Sequence, residues 1–132
     1  MNSKAVFEVK VETERNVVRV SYSGKVLATH MPAAVGEVER LLPQLQTGFV
    51  VFTDLSDLDS MELECGQYIS RIMDLCKARG VGLVIRVIPN QTKDIGLNIL
   101  SLTHYRGQVQ IVTCENVEEA ERALPMPTPK GA

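Results

Sequence analysis

The stretch VVFTDLSDLDSMELECGQYI, Val50 to Ile69, sets three aspartates, two serines and two glutamates between an apolar run and an amphipathic one. Acids gathered at the end of an inner strand are a common setting for divalent cations and phosphoryl groups, because carboxylate oxygens are the ligands Mg²⁺ takes. Asp54, Asp57 and Asp59 lie within six residues and are the candidates. Each also has an ordinary structural use. Asp54 at a strand end can accept backbone N–H groups. Asp59, with Glu62 three residues on, reads as a variant capping box opening a helix. Asp57 can be solvated in the turn. Asp57 and Asp59 stand several residues beyond the apolar run, a poor position for a phosphoryl-accepting carboxylate, so neither a metal nor another cofactor is expected. Ser60 is the candidate phosphorylation site of the stretch, against an ordinary role in the first helical turn.

Nothing else in the chain assembles catalytic chemistry. An enzyme of this size needs a nucleophile with its base, a metal cluster or a phosphate-cradling loop. The two histidines, His30 and His104, have no ligand-spaced neighbours, and no Gly-rich loop opens a helix. Cys65, Cys76 and Cys114 form no C-x-x-C pair. Cys65 and Cys76 stand eleven residues apart on one predicted helix, about 16 Å at 1.5 Å per residue, too far for a disulfide. The cysteines read as reduced core residues of a cytoplasmic protein. The expectation is a protein that is not an enzyme.

The 132 residues suit one domain, with 45% hydrophobic and 23% charged residues and a formal net charge of −2. That charge and the absence of Trp argue against nucleic acid as a partner. No apolar run is long enough to span a membrane, so no membrane insertion is expected.

The elements that would position the acid stretch are legible from periodicity. VFEVKVE and VVRVSYSG alternate apolar and polar, as strands of an antiparallel pair with one wet face do, joined through Glu14, Arg15 and Asn16. Val35, Val38, Leu41, Leu42 and Leu45 share a helical face, with Pro32 in the first turn and Pro43 ending it. FVVF and VGLVIRVI are continuous apolar runs, read as neighbouring inner strands at about 49–53 and 81–88. Between them, Met61, Cys65, Tyr68, Ile69, Ile72, Leu75, Cys76 and Arg79 make a helical stripe closed by Gly80. A helix over 92–103, a strand QVQIVT and a helix near Val117–Leu124 complete the order. The predicted fold is one α/β domain over 1–124, with a mixed, mostly parallel sheet of about five strands and about four helices. The Pro-rich tail 125–132 is expected to be disordered.

VVFTDLSDLDSMELECGQYISRIMDLCKARGVGLVIRV resembles the central stretch of the STAS family, the domain of anti-sigma factor antagonists and of sulfate transporter tails. There an apolar strand ends in Asp-Leu-Ser, a loop leads to Asp-Ser-Ser-Gly or Asp-Ser-Thr-Gly, and a helix ends in Gly before the next strand. NVEEAERAL is similar to the family's last helix, and the opening hairpin fits its first strands. A receiver domain fits less well: its acidic pair after the first strand and its lysine after the last are both missing.

In the ungapped match the family's Asp-Ser-Ser-Gly falls on Glu62, Leu63, Glu64 and Cys65. The phosphoacceptor position is thus degenerate, with Leu63 where the family has its serine. Glu64 supplies one fixed charge near a helix start, where a phosphate would add about two. The resemblance implies a regulatory protein that docks on a protein partner of the anti-sigma factor or kinase kind. It puts Asp57, Asp59, Ser60, Glu62 and Glu64 on the docking surface, with Asn98 and His104 near its rim. Two alternatives stay open on the same fold. One is a small-molecule, lipid or nucleotide-binding module, which a deep apolar pocket would favour. The other is a scaffold subunit or homodimer pairing through an edge strand such as AVFEVKVE.

Overall fold

The computed structural model describes residues 6–88 and 109–125. Strands β1 (Phe7–Glu12) and β2 (Val17–Val26) form the expected antiparallel hairpin. Asn16 takes the left-handed conformation in its turn, φ 59°, which Asn tolerates better than most residues. A short 3₁₀ turn, Ala28–His30, leads into α1 (Met31–Leu41), which has Pro32 in its first turn. Pro43 falls in the 3₁₀ turn Leu42–Gln44 that finishes the helix. Strand β3 (Val50–Met61), helix α2 (Cys65–Ala78), strand β4 (Leu83–Val87), strand β5 (Gln110–Cys114) and helix α3 (Val117–Ala123) follow. The helix expected over 92–103, with Asn98 and His104, lies outside the described residues, as does the tail beyond Pro125.

The sheet order is β1-β2-β3-β4-β5, with every pair after the hairpin parallel. The two inner strands read from FVVF and VGLVIRVI are therefore neighbours, and both their faces are covered. Helices α1 and α2 pack on one face, over Val18, Val20, Val51, Leu55 and Val84. On the other face Val17, Val50, Phe52, Ile85 and Val87 form a second core with Ala120 of α3. Parallel strands joined by crossovers of one hand put their helices on one side, which fits α1 and α2 sharing a face.

The face expected to be wet is only partly so. Arg19 on β2 lies 4.7 Å above the Phe52 ring and donates to both carboxylate oxygens of Glu121 on α3, at 2.8 and 2.9 Å. Its Nε also donates to Glu12 at 2.8 Å, and Arg15 donates to the same carboxylate. These contacts join the hairpin to the last helix. The stripe on α2 needs three corrections. Met61 belongs to β3 rather than to the helix, and Arg79 is exposed at the helix end, while Met73 is buried. Gly80 closes α2 as expected, at φ 86°.

Candidate functional site

The acid stretch is a strand, not a loop. β3 runs on through Asp54, Asp57 and Asp59 to Met61 because β2 runs beside it as far as Val26. Leu55 and Leu58 supply the buried side chains that hold the pair together. Their spacing of three is incompatible with a regular strand, which brings every second residue to one face. The register shifts twice, between Ser21 and Ser23 and between Gly24 and Lys25, and β3 carries an extra residue at each shift. Such bulges re-aim side chains. Here they keep Leu55 and Leu58 inside while Asp57, Asp59 and Ser60 are exposed.

This extension overturns the expected cap. α2 starts at Cys65, its N-cap is Glu64, and no side chain caps it by a hydrogen bond. Asp59 is too far upstream to serve, since it is still in β3. Glu62 has a different task. Its N–H donates to Val26 O at 3.0 Å, and its Oε1 accepts from Ala28 N–H at 2.7 Å. Glu62 therefore fastens the start of the β3–α2 connection to the start of the β2–α1 connection. On the other side of that junction, His30 Nδ1 accepts from Leu27 N–H at 3.0 Å. Asp54 accepts from the backbone N–H and the hydroxyl of Ser56 as a carboxylate can, but it does so inside β3, not at the strand end expected for it.

The result is one end of the sheet where two parallel strands finish side by side, Val26 opposite Met61. Just beyond them, Leu63 is 90% exposed and Leu27 43% exposed, the two large apolar side chains left in solvent among the described residues. Carboxylates of Asp57, Asp59, Glu62 and Glu64 occupy the same strand end and connection, while Lys25 lies opposite Ser60 in the register. Among the described residues, no three His, Cys, Asp or Glu side chains converge so as to hold a metal ion. The exposure of Leu63 is what an acceptor residue would need, but its side chain is hydrocarbon.

The thiols are not activated. Burial pushes the Cys76 thiol up to about 12. Burial, and then the negative charge of Glu62, raises that of Cys65, while burial followed by Glu119 raises that of Cys114. All three stay protonated near neutral pH, and a thiol in that state is a poor nucleophile. Neither the fastening by Glu62 nor the exposed pair formed by Leu27 and Leu63 follows from the sequence pattern. The one available signal for the latter was an apolar residue between two glutamates.

No family model and no curated protein matches this chain. Solved structures do. An uncharacterized protein with a SpoIIAA-like fold from Shewanella loihica PV-4 superposes with a TM-score of 0.63 at 13% identity, covering 95% of this chain and 99% of that one. An anti-sigma factor antagonist from Mycobacterium paratuberculosis gives 0.59 at 16% identity, covering 94% and 98%. The Bacillus cell fate determinant SpoIIAA in its phosphorylated form gives 0.56 at 13% identity, covering 89% and 98%. At such identities the likeness establishes the fold. The chain has the SpoIIAA-like, STAS-type architecture from end to end of the described residues.

Proposed function

We propose that this chain is a non-catalytic regulatory protein that docks on a protein partner through the end of the sheet where β2 and β3 finish. The observation that carries the reading is the exposed pair Leu27 and Leu63, held on connections that Glu62 fastens together. Burying a leucine side chain is worth about 1.5–3 kcal/mol, so a fully exposed one on a fastened turn is a strong contact once covered. Asp57, Asp59, Ser60 and Glu64 form the polar part of the surface, and its carboxylates favour a partner with basic residues around an apolar recess. The likeness to anti-sigma factor antagonists supports a partner of the anti-sigma factor or kinase kind. Three buried free thiols support work in a reducing compartment such as the cytoplasm.

Leu63 makes the surface a permanent one. Phosphoryl transfer needs an oxygen nucleophile, so a kinase acting at this position finds none. The scaffold alternative is less favoured, because edge strand β1 carries exposed Glu8 and Lys10, ion-paired at 3.4 Å, and such charges discourage edge pairing.

A photo-crosslinking residue placed at 63, at 59 or, on the opposite layer, at 118 tests the reading in an extract of the native cells. One and the same protein should be attached from 63 and 59 and not from 118. Attachment from 118 alone would sink the proposal. Incubating the chain with a kinase captured in this way and with ATP should leave its intact mass unchanged, whereas stoichiometric phosphate on Ser60 would restore a conventional switch.

A further inference from the structure

Two side chains hold the β2–α1 connection by accepting from successive amides. Leu27 N–H donates to His30 Nδ1 at 3.0 Å, and Ala28 N–H donates to Glu62 Oε1 at 2.7 Å. The backbone closes the same turn from the other side, where His30 N–H donates to Leu27 O at 3.0 Å. Leu27 and His30 thus hold each other, and the turn sets where the exposed side chain of Leu27 stands.

The bond to Leu27 fixes the state of the imidazole. A ring nitrogen that accepts from N–H carries no proton, so the ring is neutral with its proton on Nε2. An imidazolium has N–H on both nitrogens and accepts with neither. Charge on His30 and its bond to Leu27 therefore exclude each other. His30 is also the N-cap of α1, where the helix presents its positive end and a cation is disfavoured. The charged groups of the surrounding elements are Lys25 of β2, Glu62 and Glu64 of the β3–α2 connection, and Glu37 of α1, which is paired with Arg40. None of the ion pairs among the described residues includes His30.

We propose that His30 is a proton-operated latch on the docking surface. In its neutral form it holds Leu27 in place; on taking a proton at Nδ1 it releases the Leu27 amide, the turn opens and docking weakens. The proton comes from solvent, which reaches the half-buried ring. Glu62 holds the amide next to that of Leu27, so an imidazolium there also competes with Ala28 for its carboxylate. Histidine is the side chain that ordinarily changes charge between about pH 5 and 8, which sets the working range. The weaker docking rests on the reading of this surface given above, whereas the release of Leu27 rests only on the hydrogen bond. One neutral hydrogen bond is lost, so docking should weaken about three- to tenfold.

The test follows the full chain by NMR between about pH 8 and 5. At the upper end the His30 ring should show a bare Nδ1, and the Leu27 amide should be protected from solvent exchange. As the pH falls, that protection, taken relative to the intrinsic exchange rate, should drop in step with the charging of the ring. His30→Asn offers a carbonyl acceptor that does not titrate, and should keep Leu27 protected throughout. His104→Asn removes the other histidine of the chain and should retain the wild-type response. For docking, the partner captured from residue 63 should bind wild type about three- to tenfold more weakly at the lower pH, beyond any change seen with His30→Asn. A Leu27 amide equally protected at both ends of the range would overturn the latch. So would a pH response of docking that His30→Asn shares in full. Should no partner be captured, the docking reading falls, and the spectra alone decide whether protonation opens the turn.

Discussion

Replacing Glu121 by Gln should lower the melting temperature by about 5 °C, and the figure follows from the contacts of Arg19. Its guanidinium makes two hydrogen bonds to Glu121, at 2.8 and 2.9 Å, while also reaching Glu12. Hydrogen bonds to charged groups are worth about 1.5–3 kcal/mol when shielded. Glu121 is 37% exposed, so solvent screening brings the estimate down to roughly 1–2 kcal/mol. An unfolding entropy near 2.1 cal/mol/K per residue over a chain of this length converts about 1.5 kcal/mol into about 5 °C. Differential scanning calorimetry of the wild type, Arg19→Met, Glu121→Gln and the double variant gives the coupling directly.

The pH dependence has a definite sign. The hydrogen bond from Arg19 holds the Glu121 carboxyl below its usual range, and that from Arg15 does the same for Glu12. A carboxyl whose pKa is depressed by folding contributes stability that is present above its unfolded value, about 4.3, and lost as the pH falls through the folded one. The wild type should therefore lose stability below about pH 4.3 more steeply than Glu121→Gln does. In 1 M salt, where the screening length is about 3 Å, the difference between the two should shrink. A Glu121→Gln melting temperature within 1 °C of wild type at low salt, about a fifth of the expected shift, would refute the claim that this network fastens α3 to the hairpin.

Two further outcomes are expected. Ile69→Asp should unfold the protein or leave it severely destabilised, because Ile69 is 5% exposed in the main core. A carboxylate there costs several kcal/mol of a total of about 5–15, and a near-wild-type circular dichroism melt would contradict the packing. Iodoacetamide at neutral pH should alkylate Cys65, Cys76 and Cys114 only as the chain unfolds, since all three thiols are buried and protonated. Rapid labelling of folded protein, read by mass spectrometry, would show an activated thiol.

Much of the scaffold is legible because its apolar residues follow simple patterns. The alternation in β1 and β2 keeps to a period of two and the stripe of α1 to one of 3.6, while β3 and β4 show as continuous apolar runs covered on both faces. The end of β3 follows no such pattern. Bulges break the parity of Leu55 and Leu58, so a true strand looks like a loop and the helix start is displaced to Asp59. Contacts between distant residues left no local trace. Arg19 and Glu121 are 102 residues apart, and Glu62 meets Ala28 across 34. Arg86 was hidden inside an apolar strand pattern, where one charge does not change the reading. Of the candidate site, the residues are legible only as an acidic stretch, and their place on paired strand ends needs the structure.

The most direct test of the docking surface is a comparison of binding by wild type, Leu63→Asp and Glu118→Lys to the partner captured from residue 63. Leu63 is 90% exposed and Glu118 is exposed on the opposite layer, so neither change should move the melting temperature by more than about 2 °C. Losing one buried leucine contact of about 2 kcal/mol corresponds to roughly thirtyfold, and the added charge should enlarge it. Leu63→Asp should lose at least about thirtyfold in affinity, with Glu118→Lys unchanged. Wild-type affinity in Leu63→Asp, or a comparable loss in Glu118→Lys, would contradict it.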